Sequence, residues 1–142
     1  MPVSYLEISF EKIRLKEFFP IQNLTLHQKE VTSVAFSADG RYLASGSIDQ
    51  DIRIYSVPKW EREYVLTGHK DYINDIAFTP DGKYIASCSG LEEKIINLWD
   101  VEEYEQIGQF VGHTSWISSL SFNSNGRYLI SSSDDESIIL WD

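Results

Sequence analysis

Three segments of this 142-residue chain repeat one another, and that constrains its fold more than any other feature. His27, His69 and His113 mark the repeat, 42 and 44 residues apart. Behind each comes an apolar stretch ending in Phe36, Phe78 or Phe122, then a turn (Asp39-Gly40, Asp81-Gly82, Asn125-Gly126). A second stretch reaches Ser45, Ser87 or Ser131, and a third ends on Tyr55, Trp99 or Trp141. Self-similarity at this period means one supersecondary unit stacked several times, each copy burying a face of its neighbour.

Residues 31–36, 73–78 and 117–122 alternate apolar with small or polar residues, the pattern of a half-buried strand. The Asp-Gly and Asn-Gly pairs that follow tolerate the positive φ of a tight turn, so each adjoining pair of strands is expected to be antiparallel. Second strands are expected at 41–46, 83–88 and 127–132, and third strands at 51–56, 94–99 and 137–141. More polar fourth strands follow at 61–66 and 104–110. The graded polarity predicts sheets with buried inner strands and an exposed last one. Helical periodicity is absent over any useful length, and aromatic content of 13% leans further toward strands. The chain is all-β.

Composition narrows the function. A net charge of −10 opposes a phosphate-backbone ligand, so no nucleic acid is expected, and it suits a basic or neutral partner. No apolar run approaches the roughly 18–20 residues of a membrane span, so no membrane partner is expected either. The N-terminus interrupts its apolar residues with Glu7, Glu11, Lys12 and Arg14, unlike a signal peptide. A single cysteine, Cys88, suits a reducing compartment, so a cytoplasmic or nuclear location is the expectation. Cys88 lies on an apolar strand with no evident base, and inert core is its expected role.

The Gly-His pairs (Gly68-His69, Gly112-His113), the Asp-Gly turns and the closing Trp-Asp pairs (Trp99-Asp100, Trp141-Asp142) resemble the WD-repeat family of β-propellers. The resemblance covers residues 24–142. It implies four-stranded antiparallel blades, about three of them, in an open arc or as part of a larger ring. The expected division is an N-terminal segment, 1–26, supplying one or two strands, and a propeller-like domain, 27–142, with repeats at 27–68, 69–112 and 113–142. Within the segment, 5–15 and 18–24 are the candidate strands, and Pro20 is tolerable only at an edge.

A recurring His, Ser and Asp suggests a hydrolase triad. Three copies, each closed by an aromatic residue, serve better as a repeated internal brace. A buried indole N–H, hydroxyl and imidazole each need a partner, and linking them satisfies all three. The resemblance implies such a chain of hydrogen bonds through an Asp, a His, a Ser and a Trp. The third repeat has the full set: His113, Ser131, Asp135 and Trp141. In the second (His69, Ser87, Trp99) the loop is two residues longer and Glu93 stands for Asp, so a strained brace is expected. In the first (His27, Ser45, Asp49) Tyr55 replaces Trp and no Gly precedes His27, so an altered, weaker brace is expected. Asp134-Asp135-Glu136 is read as a solvated loop holding one structural acid rather than a cation site.

Closed propellers have about four to eight blades, so three repeats are too few for one chain to close a ring. A piece of a longer propeller, an open arc, and a ring closed by two copies all remain open. An open arc exposes strand edges, through which the chain is expected to self-associate.

The resemblance implies a non-catalytic scaffold for assembling a multiprotein complex. Its partner, a protein or peptide and preferably a basic one, would dock on loops before the first strand and between the second and third. The matching positions are Glu30 and Thr32, Tyr72 and Asn74, Trp116 and Ser118, with Ile48, Glu92 and Asp134 just before the acids of the braces. Tyr72 and Trp116 stand out, because aromatic anchors dominate interface energetics. The competing reading has them merely packing between blades. Trp60 is expected to cover the outer strand or contact a partner on the side. No catalytic residue, cofactor or metal is assigned. The alternatives are a propeller hydrolase using acidic loop residues and a purely structural part of a larger propeller.

Overall fold

A computed structural model describes Pro20 and residues 22–57 and 59–142 of the chain. Among the described residues eleven strands form three antiparallel sheets. The first sheet, blade 1, holds β1 (Val31–Phe36), β2 (Tyr42–Ser47), β3 (Ile52–Ser56) and β4 (Arg62–Leu66) in sequence order. Blade 2 repeats the order with β5 (Ile73–Phe78), β6 (Tyr84–Ser89), β7 (Ile95–Asp100) and β8 (Glu105–Val111). Blade 3 has β9 (Ile117–Phe122), β10 (Leu129–Ser133) and β11 (Ile138–Trp141). The three sheets do not close a ring. The first strands fall where alternation predicts them, and the others begin or end within two residues of expectation. The candidate strand 5–15 and residues 18, 19 and 21 of the candidate strand 18–24 lie outside the described residues; Pro20 and residues 22–27 carry no strand. Among the described residues no helix is long and apolar enough to cross a membrane.

The turns explain the tight repeat. Gly40, Gly82 and Gly126 take φ of 70°, 72° and 73°, a region open to glycine at little steric cost. The preceding Asp is not itself left-handed. Instead Asp39 Oδ1 accepts the Arg41 N–H at 3.0 Å and the Ser37 hydroxyl at 2.6 Å, and Asp81 repeats this with Lys83 and Thr79. That locks each hairpin. Asp39 is correspondingly held down to about 2, by the Ser37 hydroxyl first and the Arg41 N–H next.

Because side chains alternate along a strand, each blade has two unlike faces. One carries the brace residues: Ile76, Ser87 and Asn97 in blade 2, with Phe78, Ile85 and Trp99 beside them. The other is plainly aliphatic: Ala44, Ile52, Ile54 and Leu66 in blade 1. The brace face of blade 2 packs on the aliphatic face of blade 1, where Ile73, Ile76, Ile85, Trp99 and Val101 bury themselves. Blade 3 repeats this on blade 2, setting Ile117, Leu120 and Leu129 against Ala86, Cys88 and Ile96. The core therefore lies between blades, not within one.

This arrangement corrects the expected gradient of burial. Strand β1, expected to be half-buried, exposes Val31, Val34 and Phe36, because no blade among the described residues packs on that part of the brace face of blade 1, although Arg53 and Tyr55 farther out on it are buried. Its counterpart β5 buries Ile73 and Ile76.

Candidate functional site

The three braces have the geometry of hydrolytic triads. His113 Nδ1 lies 2.8 Å from Asp135 Oδ2, and Nε2 lies 2.7 Å from Ser131 Oγ. The Trp141 indole N–H then donates to the same Ser131 Oγ at 2.9 Å. This assigns the tautomer: Nδ1–H donates to the carboxylate, and the serine hydroxyl donates to Nε2. Each polar group in the chain is matched. Ser131 is 1% exposed and His113 6%, so no electrophile reaches the hydroxyl. The geometry is that of a pin, not of a nucleophile.

Blade 2 corrects the expectation of strain. Glu93 Oε2 meets His69 Nδ1 at 2.6 Å, Ser87 Oγ meets Nε2 at 2.6 Å, and the Trp99 N–H donates to Ser87 at 2.7 Å. The longer loop turns on Gly90, whose carbonyl accepts the Lys94 N–H at 3.0 Å, and Glu93 reaches the ring. Blade 1 is altered as expected. His27 meets Asp49 at 2.9 Å and Ser45 at 2.7 Å, but Ser45 Oγ and the Tyr55 hydroxyl stand 3.4 Å apart.

The carboxylates are held in their charged form. Asp135 lies well below its ordinary value through the Ser137 hydroxyl, then the Thr114 N–H, with His113 adding to both. At Asp49 and Glu93 burial alone would push the carboxyl up. It is outweighed by the Gln28 and Asp51 N–H groups and His27 at Asp49, and chiefly by His69 at Glu93. The residue after each acid, Gln50, Lys94 or Glu136, is left-handed with φ of 76°, 56° and 66°. The same backbone turn therefore presents the loop between second and third strands in all three blades.

These pinned loops carry the docking positions inferred from the sequence. Backbone bonds tie Ile48 N to Glu30 O, Gly90 N to Tyr72 O and Asp134 N to Trp116 O. By that pairing Gly90, not Glu92, is the blade-2 counterpart of Ile48 and Asp134, because Leu91 and Glu92 form the insertion. A Cβ at Gly90 would lie 2.8 Å from Cζ of Tyr72, so the glycine leaves room for the ring above it. Tyr72 and Trp116 meet edge to face, centroids 6.3 Å apart and planes at 90°, and Trp116 remains 37% exposed. The pair thus packs across the blade boundary and also shows a surface. Glu30, Glu92 and Asp134 are exposed, Asp134 directly bonded through its N–H to the Trp116 carbonyl.

The bulge positions behave differently. Thr32 Oγ1 donates to the Ile73 carbonyl at 2.5 Å, and Asn74 Nδ2 donates to the Ile117 carbonyl at 2.7 Å, each crossing to the next blade. Ser118, beyond which no blade lies among the described residues, meets Ser132 Oγ at 3.0 Å instead. Sequence reasoning missed these inter-blade bonds, and missed Asp75, whose carboxylate takes the Ser33 hydroxyl at 2.7 Å, the Ser119 hydroxyl at 3.0 Å and the Leu120 N–H at 2.8 Å. It ties all three first strands together. Trp60 meets Phe36 edge to face at 6.5 Å. Cys88 is fully buried, and burial pushes its thiol up, away from the reactive thiolate.

Two four-stranded sheets and one three-stranded sheet, stacked face to face and each pinned by one His–acid–Ser–aromatic chain, define an arc of β-propeller blades. The chain matches the WD domain, G-beta repeat family at residues 18–56, 60–100 and 104–142, and it belongs to that family. It is also 51% identical, over 41 residues, to Ribosome assembly protein 4 of Saccharomyces cerevisiae. That match takes in 29% of this chain and spans only 8% of the relative's length. Members of the WD family typically serve as protein-interaction scaffolds.

Proposed function

We propose that this chain is a non-catalytic scaffold that binds a protein or peptide, preferably a basic segment, on the loop surface around Tyr72 and Trp116. The exposed indole carries the reading: Trp116 is fixed by its edge contact with Tyr72, stands on loops pinned by the braces, and is bordered by Glu92 and Asp134. Rigid aromatic anchors lose little entropy on binding, and an acidic rim favours cationic side chains over the ring faces. Glu30 and Ile48 extend the surface along blade 1. Thr32 and Asn74 support it from beneath through their bonds to the next blade, and Ser118 occupies the same position in blade 3.

The name of the yeast relative points to ribosome assembly as one setting for such a scaffold. The match is about one repeat long, so it supports the shared repeat more than a shared task. Trp116→Ala tests the proposal. Capture of basic peptides from an array should fall at least tenfold while the melting temperature moves little. Equal capture by the variant would refute the surface, and cooperative unfolding would assign Trp116 to packing.

A further inference from the structure

We infer that the two open ends of the arc bind each other between two copies of this chain, head to tail. The contact needed is already present twice inside the molecule. Ala35, Ala44, Gly46, Ile52 and Ile54 of blade 1 receive blade 2, and Ala77, Ala86, Cys88, Ile96 and Leu98 receive blade 3. Strand register puts Ser121, Ile130, Ser132, Ile138 and Leu140 in the same places on blade 3, where no blade among the described residues covers them. Ile138 is 69% exposed, whereas Ile52 and Ile96 at its equivalent positions are at 0%. Two shallow grooves, of about 140 and 260 Å³, lie on this face between Ser121, Ile130, Ile138 and Leu140.

The opposite end of the arc carries the complementary half. Val31, Val34 and Phe36 of blade 1 stand where Ile73, Ile76 and Phe78 of blade 2 press on blade 1. Val34 is 64% exposed and Ile76 only 4%.

The sizes compensate as well. Ile73 and Ile76 fit against Gly46, where a Cβ would lie 2.7 and 3.2 Å from their Cγ2 atoms. On the open face Ser132 replaces that glycine, and the residues to be received are the shorter Val31 and Val34. The polar contact is also prepared. Thr32 and Asn74 donate to the carbonyls of Ile73 and Ile117, so Ser118 is placed to donate to the Val31 carbonyl of the second copy.

The residues of the two open faces, Val31, Val34 and Phe36 against Ser121, Ile130, Ser132, Ile138 and Leu140, carry no charge, and Arg53, which shares the blade 1 face, is itself buried. The contact is heterologous: each copy offers one face of each kind, and two arcs of three blades close at six, within the usual range of about four to eight.

Sedimentation and light scattering of the full chain over a range of concentrations test the inference. The expected species has twice the 16.4 kDa chain mass, with a concentration-dependent monomer below it. Val34→Asp and Ile138→Asp change exposed positions, and each alone should abolish the dimer while leaving circular dichroism unchanged. An equimolar mixture of the two variants should regain association, because one intact face of each kind remains. A wild-type monomer at every concentration would overturn the inference. So would a dimer that survives either variant, which would mean like faces pairing, or a mixture that stays monomeric.

Discussion

A Cβ placed on Gly112 would lie 2.9 Å from Cη2 of Trp141. At Gly68 the same construction gives 3.1 Å to Cη2 of Trp99. The glycine before each brace histidine is therefore the floor on which the indole rests. Blade 1 breaks both halves of the rule together, with Leu26 at the glycine position and Tyr55 at the tryptophan position. The single-ring side chain leaves space that the indole would fill. Gly112→Ala is expected to destabilise by about 1–3 kcal/mol through overpacking. Adding Trp141→Tyr should recover part of that loss. A double-mutant cycle in urea checks it, with a favourable coupling term as the expected result.

The same asymmetry ranks the histidines. Removing a buried imidazole strands the serine hydroxyl and the carboxylate, at about 1–3 kcal/mol for each unmet group. In blade 3 the chain runs through to the indole N–H at 2.9 Å, whereas in blade 1 the last link is 3.4 Å. His113→Ala should therefore lower the urea midpoint more than His27→Ala. His69→Ala should match His113→Ala, since Glu93 completes its chain. Equal losses at all three positions would show that the tyrosine brace is as strong as the tryptophan ones.

The repeat could be read from the sequence because period-2 alternation and glycine turns are local signals, and three copies reinforce one another. The braces could be read as sets of residues for the same reason. Their quality could not. Whether Glu93 reaches His69 depends on the path of the loop through Gly90, and whether Leu26 is tolerated depends on an indole resting across the strand. The docking surface was legible only in part. Tyr72 and Trp116 appear as aromatic residues in any reading, but the inward bonds of Thr32 and Asn74 follow from the bulge, which turns those side chains toward the next blade. The open faces at the two ends become visible only once register shows which positions the inner blades bury.

Acid should weaken the fold through the braces. Asp49, Glu93 and Asp135 all have carboxyls held below their ordinary values of 3.8, 4.5 and 3.8. A depressed folded-state value means the contribution is complete above the unfolded value and is lost as pH falls through the folded one. Stability should thus be flat with respect to these three groups near neutrality, begin to drop as pH approaches the mid-4s, and keep falling below it. Asp135→Asn should shallow the slope below pH 4 and lower stability at pH 7. Urea titrations at stepped pH measure both. A slope unchanged by the substitution would remove Asp135 from the acid response.

Arg53 is a residue whose replacement should strengthen the fold. Its side chain is 6% exposed, yet Nε and Nη1 have no hydrogen-bond partner among the described residues. The matching residue in blade 2, Asn97, is satisfied because Gln106 and Gln109 donate to its Oδ1 at 3.0 and 3.1 Å. Register places Val65 opposite Arg53 where Gln109 stands opposite Asn97, and valine offers no acceptor. The Asp51 carboxyl, raised mainly by burial and then by Asp49, is drawn back down by Arg53, so some attraction remains. A buried charge with unmet donors costs more than such an attraction usually returns. Arg53→Met keeps the length and the apolar stem and removes the unmet N–H groups. It should raise the unfolding midpoint by the equivalent of about 1–2 kcal/mol, within the range for relieving a buried unpaired group. Val65→Gln should raise it less, by turning an amide oxygen toward the Arg53 N–H groups at the position where Gln109 of blade 2 donates instead. A fall in stability for Arg53→Met would mean that the Asp51 attraction outweighs the unmet donors.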